Sequence, residues 1–150
     1  SGGVYPVSAV LANNSIMEVI TPGSHGSTFG GNPIAAAVAV AALEVIKDER
    51  LTENADDLGK LFRTQLNQYI VSSSIVKLVR GKGLLNAIVI NDTEDSDTAW
   101  NICLRLRDNG LLAKPTHGNI IRFAPPLVIT EEQLLECVAI IIQTLKSFEG

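Results

Sequence analysis

The chain has 150 residues, which is enough for one domain with a sizeable core, or for a small domain and part of another. Hydrophobic residues make up 46% of it, and the interspersed charges give a formal net charge of -4, so neither a nucleic-acid nor a membrane-surface partner is expected. No apolar run is long enough to span a bilayer and no signal-peptide pattern opens the chain, which predicts a soluble protein.

The first region contains a glycine-rich loop between predicted elements. Residues 4–12 alternate and predict an extended segment or strand entering the core, and residues 14–20 predict a short helix. The loop that follows, 22–32, reads Pro-Gly-Ser-His-Gly-Ser-Thr-Phe-Gly-Gly-Asn. Glycines expose backbone N–H groups, and Ser27 and Thr28 add hydroxyl donors, which favours an anion site. The same composition is also typical of a plain connecting loop, and no Lys-Ser/Thr follows, which excludes a P-loop.

A helix with an apolar surface nearly all round should follow this loop. Asn32 and Pro33 form a strong helix start, and the helix should continue to residue 46. Because its residues are small and apolar on every side, it should be buried on several sides or lie at a subunit interface. The composition changes near residue 47, so the predicted regions are 1–46 and 47–150.

The second region predicts helices packed against a mostly antiparallel sheet. Thr52 begins an amphipathic helix whose first turn is acidic. Thr130 begins the last helix, with a capping box to Gln133 and with Ile129 placed to pack on Leu134. Between them the pattern predicts strands at 76–79 and 84–90 around a turn at 80–83, a helix at 98–109, and strands at 111–114 and 119–124 around a loop at 115–118. This order indicates an α+β layer.

Isolated polar residues give weaker signals. His25 and His117 suit structural hydrogen bonding or turn geometry better than chemistry, and Lys82 suits a solvated turn. Cys103 and Cys137 lie in apolar periodic segments, so they should be buried thiols in a reducing compartment. No His/Cys spacing suits a metal, and no nucleophile-elbow sequence supports a hydrolase.

Four motifs, in order along nearly the whole chain, resemble the C-terminal part of a class-III aminotransferase. They are Gly-Gly-Val-Tyr-Pro-Val-Ser-Ala at 2–9, His-Gly-Ser-Thr-Phe-Gly-Gly-Asn-Pro at 25–33, Arg-Gly-Lys-Gly-Leu at 80–84 and Arg-Phe-Ala-Pro-Pro-Leu at 122–127. The resemblance implies an α/β protein of fold type I that uses pyridoxal 5'-phosphate. Residues 1–46 would then be the C-terminal end of the cofactor-binding large domain, and 47–150 the small α+β C-terminal domain.

The resemblance also implies roles for three residues. Ser27 and Thr28 match the loop that reaches the cofactor phosphate of a neighbouring subunit, which implies a homodimer or higher homo-oligomer. Arg122 matches the arginine that binds a carboxylate of the oxo-acid substrate. The lysine that carries the cofactor would precede Ser1, so the resemblance implies no catalytic residue within these 150 residues and an inactive isolated chain. The other lysines lie in unsuitable contexts.

Residues 110–118, Gly-Leu-Leu-Ala-Lys-Pro-Thr-His-Gly, resemble the ornithine-specific branch of this family. That branch transfers the δ-amino group of L-ornithine to 2-oxoglutarate, giving glutamate 5-semialdehyde and glutamate, and it lies in the mitochondrial matrix of eukaryotes or otherwise in the cytoplasm. Related activities on acetylornithine or 4-aminobutyrate stay open. So does a non-catalytic α+β binding module, although the apolar helix after residue 33 counts against a free-standing one.

Overall fold

The computed structural model describes residues 5–149. The chain separates into two compact units, one ending at Arg50 and one beginning at Leu51. The predicted change of region near residue 47 is close to this division, while the assignment of the two parts to a large and a small domain stays a prediction. Residues 2–4 of the first family motif, including Val4 at the start of the predicted first strand, lie outside the described residues.

The first unit contains two helices, α1 over Asn14–Met17 and α2 over Pro33–Asp48. α1 is shorter than the predicted helix at 14–20. The prediction of an extended segment or strand that enters the core at 4–12 is wrong for its described part, because residues 5–12 form no strand and Leu11 is 95% exposed. A strand needs a neighbouring strand for its backbone groups, and none lies between residues 5 and 50.

The predicted start of α2 is confirmed. Asn32 has an extended backbone and its side-chain oxygen accepts a hydrogen bond of 2.8 Å from the Ala35 N–H. Pro33 occupies the first turn, where a missing N–H costs nothing. Within residues 5–50, Ala35 is the only buried residue, so α2 presents most of its apolar surface outward.

The second unit is a four-stranded antiparallel sheet covered on one side by three helices. Its elements are α3 (Leu51–Ile70), β1 (Val76–Lys82), β2 (Leu85–Ile90), α4 (Thr98–Asp108), β3 (Lys114–Thr116), β4 (Ile120–Phe123) and α5 (Glu131–Lys146). The strand order is β1-β2-β4-β3, with every neighbouring pair antiparallel. The predicted fold, helices packed on an antiparallel sheet, is confirmed.

Two turns differ from the prediction. The first hairpin turns at Gly83 and Leu84, because Lys82 pairs with Leu85, so residues 80–82 belong to β1. Gly83 has a φ of +54°, the left-handed backbone that glycine adopts without strain at the first turn position. β3 covers 114–116 instead of the predicted 111–114. It includes Pro115, which has no N–H to donate, and this is tolerated because β3 is an edge strand of the sheet.

The core lies between the helices and one face of the sheet. Ile88 and Ile90 of β2 and Ile121 of β4 point into it and are fully buried. They meet α4 through Ile102 and Leu106, which are equally buried. The intervening strand residues point to the opposite face, which no helix of this unit covers.

The last helix is held at both ends. Thr130 and Gln133 form the predicted capping box, and Ile129 and Leu134 are both buried beside it. Near the other end, the Tyr69 hydroxyl donates a 2.7 Å hydrogen bond to the Glu149 carboxylate, and the Ser73 hydroxyl donates to the same oxygen. These two bonds tie the residues after α5 to the end of α3. They lower the pKa of Glu149, while burial is the main cause that raises the pKa of Tyr69 to about 12.

Candidate functional site

The glycine-rich loop at 22–32 is an exposed connection with two left-handed glycines, Gly23 and Gly31. The Ser27 hydroxyl accepts a hydrogen bond of 3.0 Å from the Gly30 N–H, which closes a local turn. Asn32 ends the loop by donating from its side-chain amide to the Phe29 carbonyl at 2.7 Å. The loop is therefore shaped by bonds among its own residues.

The middle of this loop carries unused donors. Among residues 5–149, neither the Thr28 hydroxyl nor the backbone N–H groups of Gly26, Ser27 and Thr28 have a hydrogen-bond partner. A Cβ added at Gly26 would meet nothing within 4 Å, so the backbone is open to a bound group. A phosphate accepts bonds from this combination of hydroxyl and N–H donors, so the loop fits the predicted anion.

His25 lies in the same loop and is exposed, and it makes no hydrogen bond with any residue that the structure describes. Its predicted structural hydrogen bond is absent from the described part of the chain. The first free N–H groups of α2 lie next to the loop, but the Asn32 side chain already satisfies that of Ala35. One of the N–H groups at the start of α2 is therefore already used, so an anion would bind to the N–H groups of the loop rather than to those of the helix.

Arg122 lies on the open face of the sheet in the second unit. Its neighbours across the ladder are Ala87 on β2 and Lys114 on β3. The next residue on the same face of β4, Ile120, is partly buried. Arg122 itself is exposed, and it forms no ion pair with any of residues 5–149.

A groove of about 410 Å³ surrounds Arg122 on this face, and we call it the sheet-face groove. Its polar walls carry cations and hydrogen-bond donors, and no residue that lines it is acidic. The lining residues are Arg80, Gly81, Lys82, Leu85, Asn86, Ala87, Thr116, His117, Ile120 and Arg122. A groove with this lining attracts anions, and the planar guanidinium of Arg122 can hold a carboxylate through two parallel hydrogen bonds.

The hairpin that forms one wall of the groove is fastened to α3. The Arg63 guanidinium donates to the Gly83 carbonyl at 3.1 Å and to the Asn86 side-chain oxygen at 2.8 Å, and the Asn86 amide donates to the same carbonyl at 3.1 Å. Gly59 touches this turn so closely that a Cβ there would overlap the Gly83 carbonyl oxygen. The two strands thus leave the turn in a fixed position.

The opposite end of the groove is formed by the turn between β3 and β4. His117 has a φ of +49°, which is uncommon for a residue with a side chain. Gly118 packs against the Glu94 backbone so closely that a Cβ would overlap the Glu94 carbonyl oxygen, and Asn119 donates to the Asp92 carbonyl at 3.0 Å. These contacts hold the turn and keep His117 at the groove. His117 is exposed; its carbonyl accepts a 2.8 Å hydrogen bond from the Asn119 N–H, while its imidazole has no hydrogen bond with any residue that the structure describes.

The prediction of buried thiols is confirmed for Cys103, whereas Cys137 is less buried than predicted. Cys103 is buried and Cys137 is partly buried, and both are free. Burial raises the pKa of Cys103 to about 11 and is the main cause that raises the pKa of Cys137, so both stay protonated at neutral pH. Within residues 5–149 no group of His, Cys, Asp or Glu is placed to hold a metal, and no helix is long and apolar enough to cross a membrane.

Sequence reasoning placed two of the three predicted site residues, Ser27 and Thr28, in one loop, and the structure keeps them there in the first unit. Arg122 belongs to the second unit. Sequence reasoning missed Arg80 as a groove residue because it assigned 80–83 to a turn. With the turn at Gly83 and Leu84, antiparallel pairing would have placed Arg80 opposite Ala87, on the face of Arg122.

A family model described as aminotransferase class-III matches residues 1–145. Among curated proteins, the mitochondrial ornithine aminotransferase of Rattus norvegicus is 61% identical over 148 residues, which cover 99% of this chain and 33% of the relative. That of Drosophila melanogaster is 59% identical over 147 residues, covering 98% of this chain and 33% of the relative. The chain thus spans about a third of the length of these relatives.

Solved structures of the same kind resemble the fold closely. An acetylornithine aminotransferase from Elizabethkingia anophelis has a TM-score of 0.91 at 69% identity, with 99% of this chain and 37% of that one covered. The ornithine δ-aminotransferase of Plasmodium falciparum has a TM-score of 0.90 at 50% identity, with 99% of this chain and 38% of that one covered.

Proposed function

Because the chain belongs to the class-III aminotransferase family, we propose that it is the C-terminal part of an ornithine aminotransferase. The complete enzyme would transfer the δ-amino group of L-ornithine to 2-oxoglutarate, giving glutamate 5-semialdehyde and glutamate. Similarity to curated ornithine aminotransferases at 61% and 59% identity supports this choice of substrates. The structural observation that carries the proposal is the exposed Arg122 in a groove whose lining is free of acidic side chains.

Arg122 would bind a carboxylate of the oxo-acid substrate. An arginine presents parallel N–H donors that match the two oxygens of a carboxylate, which a lysine cannot reproduce. The ladder pairs Arg122 with Ala87, whose small side chain leaves space beside the guanidinium. Because ornithine would present its distant amine for transfer, its own carboxylate would lie elsewhere, and Arg122 would act mainly in the reaction of 2-oxoglutarate.

Ser27 and Thr28 would bind the phosphate of pyridoxal 5'-phosphate in a neighbouring subunit of a homodimer or larger homo-oligomer. The unused Thr28 hydroxyl and the N–H groups of Gly26, Ser27 and Thr28 are the donors that suit this role. The cofactor, when bound, supplies the electron sink for amino-group transfer. The loop residues would hold it in place by charge-assisted hydrogen bonds.

The lysine that carries the cofactor would come from sequence outside these 150 residues. A reactive lysine needs a desolvated setting that lowers its affinity for a proton. The lysines of this chain are all exposed: Lys47, Lys60, Lys77, Lys82, Lys114 and Lys146. We therefore expect the isolated chain to be inactive.

The complete enzyme would lie in mitochondria if the source is eukaryotic and in the cytoplasm otherwise.

Acetylornithine is the second candidate amino donor. The structure of the acetylornithine aminotransferase from Elizabethkingia anophelis, at 69% identity, is the observation that favours it. The two candidate donors differ in an acetyl group on the α-amine, and 2-oxoglutarate would be the amino acceptor with either of them. The sheet-face groove around Arg122 would serve the oxo acid in either case.

The experiment is a comparison of amino donors with the complete enzyme, supplied with pyridoxal 5'-phosphate and 2-oxoglutarate. L-Ornithine, N-acetylornithine and 4-aminobutyrate are each offered, and glutamate formation is measured. We expect L-ornithine to give the highest kcat/KM and to yield glutamate 5-semialdehyde. A higher kcat/KM with N-acetylornithine would identify acetylornithine as the amino donor. If no donor supported amino transfer, the alternative of a non-catalytic module would be favoured.

A further inference from the structure

Two glycines of the motif at 80–84 make room for a polar network between the hairpin and α3. A Cβ at Gly81 would overlap the side-chain oxygen of Asn86, the residue that pairs with Gly81 across the hairpin. Gly83 has the left-handed backbone of the turn, and its carbonyl accepts hydrogen bonds from both Arg63 and Asn86. The Arg63 guanidinium also donates to the side-chain oxygen of Asn86. We call this set of residues the hairpin network: Arg63, Gly81, Gly83 and Asn86.

The hairpin network lies on the covered side of the sheet. Asn86 is 2% exposed and alternates along β2 with Ala87, whose side chain belongs to the open face. A buried amide costs free energy unless its oxygen and nitrogen are both bonded, and Arg63 and Gly83 meet that need. Arg63 is partly buried and is not among the residues that line the sheet-face groove. Any effect of Arg63 on a bound anion is therefore transmitted through the hairpin.

Arg122 lies where the two ladders of β4 end. The β2–β4 ladder ends with Asn86 opposite Phe123, and the β3–β4 ladder ends with Lys114 opposite Arg122. β3 has only three residues, so β2 is the main support of β4 at this point. The ends of strands open more easily than their centres. The hairpin network thus holds, at Asn86, the ladder end that lies next to Arg122.

We propose that Arg63 is a positioning residue for the reaction with the oxo acid, because it keeps this ladder end closed and the Arg122 guanidinium in place. The inference rests on the proposed function, in which Arg122 binds a carboxylate of the oxo acid. Two parallel hydrogen bonds to one carboxylate form only when the guanidinium is correctly placed. When the ladder end opens, only part of these bonds can form, and closing it again costs part of the binding free energy.

The test measures both half-reactions of the complete enzyme in single turnovers. Arg63→Met removes the hydrogen-bond donors but keeps a long side chain. We expect the apparent affinity for 2-oxoglutarate to fall about tenfold, less than the roughly 100-fold cost of displacing a reacting group by about 1 Å, while reaction with L-ornithine changes less than about twofold. The maximal rate with 2-oxoglutarate should change little, because the loss lies in binding. Arg63→Lys keeps a charged donor on a long side chain and should restore most of the affinity.

Asn86→Ala separates position from charge, because it keeps the charge of Arg63 and removes the side chain through which Arg63 acts. Its affinity for 2-oxoglutarate should fall to a similar extent, and Arg63→Met added to it should cost little more. Strictly additive losses would show that Arg63 acts by its charge alone and would overturn the proposal.

The matched control is Tyr69→Phe, which removes a hydrogen bond that α3 makes to Glu149 instead of to the hairpin. It should leave the affinity for 2-oxoglutarate unchanged. Equal losses in both half-reactions of Arg63→Met would show a general structural role and overturn the proposal, as would an unchanged affinity for 2-oxoglutarate.

Hydrogen exchange and calorimetry separate this inference from the proposed function, because neither requires turnover. Backbone amides in residues 120–126 should exchange faster in Arg63→Met than in the wild type, and Tyr69→Phe should not show this increase. Glutarate, an unreactive analogue of 2-oxoglutarate, should bind about tenfold more weakly to Arg63→Met. If the enzyme transfers no amino group but shows both results, the proposed function fails and the role of Arg63 stands. Unchanged glutarate affinity in Arg63→Met would refute that role whatever the activity.

Discussion

The two units support their candidate anion sites in different ways. Between residues 5 and 50 the structure buries only Ala35, and α2 exposes large side chains such as Ile34, Val40 and Leu43. The second unit buries a continuous core between three helices and the sheet. The first unit therefore carries its loop on a scaffold that buries almost nothing of its own, while the second carries its groove on a scaffold with its own core.

This difference separates what each site requires. The loop around Thr28 is closed by short-range bonds among neighbouring residues, and the packing of α2 requires surface from outside residues 5–50. The sheet-face groove is positioned by contacts that lie entirely within the second unit, such as Arg63 with Gly83. Changes in the second unit should therefore affect the stability of the 150-residue chain, whereas changes in the first should affect mainly binding in the complete enzyme.

The largest expected effect comes from truncating a core side chain of the second unit. Leu106 is fully buried, so Leu106→Ala should lower the free energy of unfolding by about 2–5 kcal/mol. Leu43 on α2 is 66% exposed, so Leu43→Ala in the 150-residue chain should change it by less than about 0.5 kcal/mol. Urea unfolding of both variants measures the contrast, and a similar loss in each would show that the first unit has a core of its own.

A matched pair of glycines sharpens the same contrast. A side chain at Gly59 would overlap the backbone of the hairpin turn, whereas one at Gly26 would meet nothing. Gly59→Ala should cost roughly 3 kcal/mol, because the backbone clash outweighs the better helix propensity of alanine. Gly26→Ala should leave the unfolding curve nearly unchanged. A stable Gly59→Ala variant would mean that α3 can move away from the hairpin.

The sequence predicted the layers of the second unit because periodicity and capping residues act locally. Thr130 with Gln133 and Asn32 with Pro33 specify helix starts through bonds within one turn of chain. The hairpin turn was misplaced because 80–83 contains two glycines, and only pairing with β2 shows that Gly81 lies within a strand. The groove could not be predicted either. Arg80 and Arg122 are far apart in the sequence, and only the pairing of both with Ala87 places them on the same face of the sheet.

In the first unit the sequence was less informative for a different physical reason. The predicted first strand has the right alternation, but a strand is stable only beside another, and residues 5–50 supply no partner. The hydroxyls of Ser27 and Thr28 were identified from composition and from resemblance. Their assignment to a phosphate stays a prediction.

Removal of the Thr28 hydroxyl tests the loop in the complete enzyme. A hydrogen bond to a charged group contributes on the order of 1.5–3 kcal/mol, so Thr28→Ala should weaken retention of pyridoxal 5'-phosphate roughly 10- to 100-fold. Thr28→Ser keeps the hydroxyl and should keep most of the affinity. Cofactor dissociation is monitored by absorbance. Unchanged retention of the cofactor in Thr28→Ala would show that the loop only connects its neighbouring elements.

Replacement of Arg122 tests the groove in the same enzyme. Arg122→Lys keeps the charge but loses the paired N–H donors, so reaction with 2-oxoglutarate should lose about 2 kcal/mol of transition-state stabilisation. Reaction with ornithine should change little. Single-turnover measurements of the two half-reactions decide this, with Arg105→Lys as a control outside the groove. Equal losses in both half-reactions would contradict the assigned role.

The smallest effect is expected at the tie between α3 and the end of α5. Hydrogen bonds from Ser73 and Tyr69 hold the pKa of Glu149 below its ordinary value of 4.5. A depressed carboxyl pKa means that the folded state prefers the ionised form, so its stabilisation is complete above about pH 5 and declines as the pH falls through 4.5 toward the folded pKa. Because the carboxyl lies near the surface, we expect less than about 1 kcal/mol.

Glu149→Gln should therefore lower the free energy of unfolding of the 150-residue chain slightly at pH 7, and the difference from wild type should shrink as the pH falls toward 3. Glu136→Gln removes the same charge from an exposed position on α5 and should show a flatter dependence. Urea unfolding at a series of pH values measures both. Glutamine has nearly the shape of glutamate but carries no charge. If the loss of stability in Glu149→Gln were as large at pH 3 as at pH 7, the ionised carboxylate would not be what holds the end of the chain to α3.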